Sequence, residues 1–142
     1  MNKERIKQYD QLYMSIAVNT SQMSYATRNK VGCVIVKDHN IIAYGYNGMP
    51  MGMDNECEYI NELGELVTRK EVMHSELNAI HKAVKQGISP NGSTIYITLS
   101  PCFNCSLQIL SAGIKKVFYR EEYRDSSGID FLKNRGIEVE KI

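Results

Sequence analysis

From Thr94 onward the chain alternates short apolar, β-branched runs with amphipathic helical segments, and no other feature narrows the possible folds as much. A strand is expected at Thr94–Leu99, then a helix whose apolar face carries Phe103, Leu107, Leu110 and Ile114, then a strand at 116–119. A helix at about 127–134 and a strand at 137–139 complete the series. Strands separated by single helices must run parallel, so this half reads as βαβαβ.

The first half has a different rhythm. Ile6, Tyr9, Leu12, Tyr13, Ile16 and Ala17 fall at three-and-four spacing and predict a helix over 5–20, ending near Met23. Residues 24–30 form a polar turn. The run at 31–36 is apolar throughout, as for a strand covered on both faces. A turn at 37–40 and a second apolar run at 41–46 make an antiparallel hairpin. The Gly- and Pro-containing stretch 47–52 breaks regular structure. In the poorly patterned segment 53–72, Tyr59-Ile60 and Leu66-Val67 flank Asn61-Glu62-Leu63-Gly64 and suggest a small projecting β-hairpin. Leu77, Ile80, Ala83 and Val84, with Gly87 as a stop, predict a helix over Ser75–Lys85. The whole is expected to be one α/β domain over 1–142, with no internal repeat.

Composition sets limits on function. With 43% hydrophobic and 23% charged residues, the chain has an ordinary globular make-up, and a net charge of +1 supplies no broad basic field for a long nucleic acid. A small substrate is favoured. The charged N-terminus carries no apolar run suited to a signal peptide or membrane span, so a cytoplasmic location is expected. Four cysteines, two in a Cys-x-x-Cys pair, point to metal or redox chemistry more than to disulfides.

The chemistry concentrates in His74-Ser75-Glu76 and Pro101-Cys102-Phe103-Asn104-Cys105. One imidazole and two thiols give the three protein ligands of a catalytic zinc that keeps its fourth position open. Glu76 is then free to move protons. Positions i and i+2 of a regular helix point about 200° apart, so His74 and Glu76 converge only at a helix start. Cys102 and Cys105, three positions apart after Pro101, also fit the first turn of a helix. There the helix dipole favours thiolate and carboxylate by about 0.3–1 kcal/mol each. Zinc so held brings water toward a pKa of about 7, and a neighbouring carboxylate can pass the water proton to a substrate nitrogen. This is chemistry for adding water to an amidine-like carbon and expelling ammonia. A redox reading of the Cys pair leaves His-x-Glu unexplained.

His-x-Glu followed by Pro-Cys-x-x-Cys is the signature of the zinc nucleobase deaminases. Val31-Gly32-Cys33-Val34-Ile35-Val36, Gly45-Tyr46-Asn47-Gly48-Met49-Pro50, His74-Ser75-Glu76-Leu77-Asn78-Ala79-Ile80 and Ala112-Gly113-Ile114-Lys115 extend the likeness over nearly the whole chain. By these blocks it resembles the zinc-dependent cytidine and deoxycytidylate deaminases, and within them those acting on dCMP. The resemblance implies a three-layer α/β/α sandwich around a five-stranded mixed sheet, and hydrolysis of dCMP to dUMP and ammonia, supplying dUMP for dTMP synthesis. It assigns Zn2+, one per chain, to His74, Cys102 and Cys105. Proton transfer to ring N3 and then to the leaving amine falls to Glu76, a deoxyribose contact to Asn47, and the phosphate to Ser24, Arg28 and Tyr123. It further implies a homo-oligomer, with a hexamer as the model, activated by dCTP and inhibited by dTTP with Mg2+. Gly45, Tyr46, Gly48, Asp54 and Asn55 are the residues expected at that regulatory site. The family motif usually has Ala where Ser75 stands.

Plainer readings stand beside these. Asn47 can simply occupy a left-handed turn position, and Arg28 and Tyr123 can be ordinary surface residues. Cys33 is expected in the core, and His39 and His81 on the surface. The role of Cys57 is left open. Two functional rivals also remain: another zinc deaminase, acting on cytidine or on tRNA adenosine, and a non-catalytic, zinc-stabilised nucleotide-binding regulator. Glu76 weighs against the second, because zinc binding alone does not require it.

Overall fold

The computed structural model describes residues 1–142. Its main sheet has five strands in the order β2-β1-β5-β6-β7. These are β1 (Gly32–Lys37), β2 (Asn40–Tyr46), β5 (Thr94–Leu99), β6 (Lys116–Glu121) and β7 (Glu138–Lys141), and β3 (Glu58–Ile60) and β4 (Leu66–Thr68) form a separate hairpin. β1 runs antiparallel to both β2 and β5, whereas β5, β6 and β7 are mutually parallel. The expected mixed sheet, with its parallel second half, is therefore present.

Strand alternation sorts the core into two layers. Cys33, Ile35, Ile95, Ile97 and Val117 point to one face, where they meet Ala79, Ile80 and Ala83 of α2 (Ser75–Lys85), Ile109 of α3 (Phe103–Ser111) and Leu132 of α4 (Ser127–Asn134). Val34, Val36, Tyr96 and Phe118 point to the other, where they meet Tyr13, Met14 and Ala17 of α1 (Lys3–Ser21). Both faces of β1 are covered, which explains its continuous apolar run. The result is a three-layer α/β/α sandwich.

Several boundaries move from the sequence reading. In α1 the buried stripe is Tyr13, Met14, Ala17 and Ser21, while Ile6 and Leu12 stay about half exposed, so the helix is rotated from the expected face. Tyr9 and Tyr13 stack on one another, Tyr13 tilts against Tyr96, and Tyr96 stacks on Phe118, an aromatic column that locks α1 to the sheet. The β1–β2 turn holds Asp38 and His39 at φ 50° and 62°, the left-handed pair of a two-residue hairpin whose twist matches the strands. β6 runs two residues beyond the expected end, and β7 starts after Ile137, which is buried ahead of the strand. No helix is long and apolar enough to cross a membrane.

Candidate active site

Two helix starts on one face of the sheet build the centre. His74 is the N-cap of α2, with extended backbone (φ −70°, ψ 157°), and Cys102 is the N-cap of α3 (φ −68°, ψ 171°). Because a cap residue is not yet helical, His74 and Glu76 escape the divergence of i and i+2. The His74 Nδ1 and the Cys102 and Cys105 Sγ atoms all lie within 4.8 Å of one another. Nδ1 stands 3.2 Å from Cys105 Sγ and 3.6 Å from Cys102 Sγ, and the Cys105 amide donates to Cys102 Sγ at 3.5 Å.

One nitrogen and two sulfurs converging on a common point match a zinc ion with one position left over. These three residues fit the metal. Electrostatics favour a thiolate at one of the two cysteines: hydrogen bonds from Cys105 and then His74 hold Cys102 down to about 4. Its bond to Cys102, and then burial, push Cys105 well above the usual thiol range. The Cys102 bond raises His74, with burial opposing.

Close backbone packing sets the α2 start. Gly45, in β2, lies directly beneath it, and a Cβ there would stand 2.3 Å from the Ser75 carbonyl oxygen and 2.7 Å from the Ala79 nitrogen. Only glycine admits this approach. Gly48 and Met73 exchange backbone hydrogen bonds of 3.1 and 2.8 Å, stapling the 47–52 turn to the residue before His74. Cys33 is fully buried as expected, and its thiol donates to the Ser75 carbonyl at 3.2 Å. Gly128, at the start of α4, sits where a Cβ would stand 2.3 Å from the Pro101 carbonyl oxygen, so α4 backs the cysteine loop.

Glu76 is 3% exposed and accepts a 2.6 Å hydrogen bond from the hydroxyl of Ser75, itself completely buried. From the sequence, Ser75 reads as a small-for-small replacement; in the fold it touches the carboxylate. Glu76 lines a cavity of about 220 Å³ together with His74, Cys102, Asn47, Arg28 and Tyr123. That is below the roughly 300–1,000 Å³ usual for drug-sized ligands, and it suits one small molecule.

The expected substrate residues fare unequally. Arg28 and Tyr123 line the cavity, and the Tyr123 amide is held by Ser100 Oγ at 2.6 Å. Asn47 also lines it, but with its carboxamide tied down: Oδ1 accepts from the Val31 amide at 2.9 Å and Nδ2 donates to the Asn29 carbonyl at 2.8 Å. Its φ is not left-handed, so the plain turn reading does not describe it. Ser24 is not in the cavity wall. It is buried, its hydroxyl donating to the Asn47 carbonyl at 2.7 Å and accepting from the Ala26 amide at 3.1 Å, which makes it a brace for the Asn47 turn. Ser100, Glu58 and Thr68 also line the cavity, and no motif marks them in the sequence.

None of the five residues expected at a regulatory site lines this cavity. Gly45 is buried under α2, which removes it from any ligand's reach. Tyr46 lies beneath Lys82, and its carbonyl accepts from Asn78. Gly48 is taken up by the Met73 bridge. Asp54 caps the Glu56 amide at 2.8 Å, and the Asn55 carbonyl accepts from the buried Cys57 thiol at 3.6 Å. His39 and His81 are exposed, as expected.

Known proteins share the fold and much of the sequence. The family model for the cytidine and deoxycytidylate deaminase zinc-binding region matches residues 7–121. The deoxycytidylate deaminase of Enterobacteria phage T4 is 36% identical, over 89% of this chain and 86% of its own. The deoxycytidylate deaminase of Saccharomyces cerevisiae is 34% identical over 92% of this chain, which spans only 44% of that longer protein. A dCMP deaminase from cyanophage S-TIM5, solved in complex with dCMP and dUMP, superposes with a TM-score of 0.88 at 45% identity, covering 100% of this chain and 99% of its own. Three metal donors at the starts of two helices, a buried carboxylate beside them and this likeness over most of the chain make it a member of the cytidine and deoxycytidylate deaminase family.

Proposed function

We propose that this enzyme hydrolyses dCMP to dUMP and ammonia. The observation that carries the reading is a buried carboxylate, Glu76, sharing one small cavity with His74 and Cys102, whose ligand atoms cluster with that of Cys105, and with Arg28, the only Lys or Arg side chain in its wall. A base-sized reacting end and a single cation suit a mononucleotide better than a polynucleotide, and the likeness to dCMP deaminases supports the same choice.

His74, Cys102 and Cys105 would hold Zn2+, which when bound supplies the Lewis acidity that makes water an effective nucleophile near neutral pH. Glu76 takes the proton of the attacking water and delivers it to ring N3, and a second proton passes by the same carboxylate to the exocyclic amine. A C4–O bond forms, the C4–N bond breaks, and ammonia leaves with its electron pair. Ser75 fixes one Glu76 oxygen, so the carboxylate does not wander between these tasks. Asn47 forms the wall on the sugar side, Tyr123 and Arg28 that on the phosphate side.

Replacing Glu76 by Gln keeps the shape and removes the proton carrier. Zinc content of about one per chain and the thermal transition should be unchanged, while turnover of dCMP falls by roughly 10²–10⁴-fold. Near-normal turnover with zinc in place would refute the assignment. Side-by-side assay of dCMP, cytidine and an anticodon stem-loop separates this reading from its relatives.

The family resemblance also motivates a homo-oligomer, a hexamer as the model, feeding dTMP synthesis and regulated by dCTP and by dTTP with Mg2+; a cytoplasmic location rests on the charged N-terminal sequence. Saturation curves for dCMP with and without each triphosphate check the regulation, and superimposable curves would remove it.

A further inference from the structure

The β3–β4 hairpin has no role in the chemistry above, yet two of its residues reach the cavity wall. Glu58 and Thr68 are direct cross-strand partners, so their side chains leave the hairpin on the same face. Both end on the segment that carries Arg28. Glu58 Oε2 accepts the Thr27 and Arg28 amides at 2.9 and 3.0 Å, and Thr68 Oγ1 accepts from the Arg28 guanidinium at 3.2 Å. One hairpin rung therefore holds Arg28 at its main chain and at its side-chain tip.

The base of the hairpin is itself fastened. The Arg69 amide donates to the Cys57 carbonyl at 2.8 Å, and its guanidinium pairs with Glu56 at 3.5 Å. Beyond it, the Met73–Gly48 bridge leads directly into His74. A guanidinium has five N–H donors, so the one given to Thr68 leaves the others for a ligand. Arg28 is otherwise an exposed side chain on an irregular segment, and an untethered arginine loses considerable rotamer entropy when it binds an anion.

We propose that Glu58 and Thr68 are positioning residues that hold Arg28 ready for the 5′-phosphate of the substrate, so that the hairpin sets preference for a nucleotide over a nucleoside. This rests on the dCMP reading. It differs from that reading in concerning only the phosphate end, and the two can fail separately.

The test compares zinc-loaded wild type with Glu58→Ala, Glu58→Gln and Thr68→Val, using dCMP and deoxycytidine as substrates and calorimetric binding of dUMP and deoxyuridine as a readout independent of turnover. Loss of the Glu58 acceptor should raise KM for dCMP roughly tenfold, and loss of the Thr68 acceptor about threefold, with kcat within about twofold. The Kd of dUMP should weaken by the same factors, with deoxycytidine turnover and deoxyuridine binding unmoved. Glu58→Gln, which keeps an acceptor oxygen, should recover most of the loss.

A lower KM in the Glu58 variants would overturn the proposal, because the carboxylate would then be opposing the phosphate. Equal losses for nucleotide and nucleoside would overturn it too, by showing general damage to the fold. If wild type processes deoxycytidine but neither turns over dCMP nor binds dUMP, the dCMP reading falls first and this one with it.

Discussion

Cys102 and Cys105 sit one helical turn apart in the same field, yet they are driven in opposite directions. Bonds from Cys105 and His74 stabilise the Cys102 thiolate at about 4, and that arrangement obliges Cys105 to keep its proton; His74 is raised by its bond to the same thiolate. Zinc requires two thiolates and a neutral imidazole. Metal uptake near neutral pH must therefore expel the Cys105 proton, together with whatever fraction His74 carries, and zinc affinity should rise with pH. Calorimetry in buffers of different ionisation enthalpy, between about pH 6 and pH 8, measures the protons released. An affinity that stays flat across that interval would contradict this charge distribution. Among single residues, Glu76 was legible from its place in His-x-Glu. Ser75 was not, because its bond to Glu76 is a matter of rotamer and burial, which the letters do not carry.

At the level of elements, β2 and the start of α2 are in backbone contact at Gly45, so a methyl group there must push the helix away from the sheet. Gly45→Ala should cost about 1–3 kcal/mol of stability by overpacking and also weaken zinc binding, since the displaced turn carries His74. Urea denaturation and a competitive zinc titration read the two effects, and a variant as stable as wild type with unchanged affinity would show that α2 is not seated on that glycine. α2 and α4 have the bounds expected from their apolar periodicity. α1 was found, but not its rotation. Apolar residues at both Leu12 and Met14 allow two neighbouring faces, and the choice is made by the aromatic column formed with Tyr96 and Phe118, far away in sequence. The β3–β4 hairpin could be located from its turn, whereas its attachment to the Arg28 segment could not. That attachment depends on hydrogen bonds spanning 30 to 40 positions, and no local pattern reports them.

Across the whole molecule, the same division recurs. Alternation along Cys33, Val34, Ile35 and Val36, and along Ile95, Tyr96 and Ile97, divides the core between the two faces of the sheet, while the three-layer arrangement, one helix on one face and three on the other, is what the family resemblance implied. The metal donors follow from motif. The rest of the cavity wall follows from neither, being assembled from the α1–β1 connection, the turn after β2, the small hairpin and the loop after β6. Ser24, expected at the phosphate, braces the Asn47 turn here, and Gly45, expected at the regulatory site, seats α2. The two N-caps that carry the metal ligands have a consequence for the empty protein. Neither His74 nor Cys102 can change its backbone conformation without unravelling the first turn of a helix whose remaining residues pack into the core. The backbone under the chelate is consequently set during folding, so an arriving ion has only the side-chain rotamers left to order.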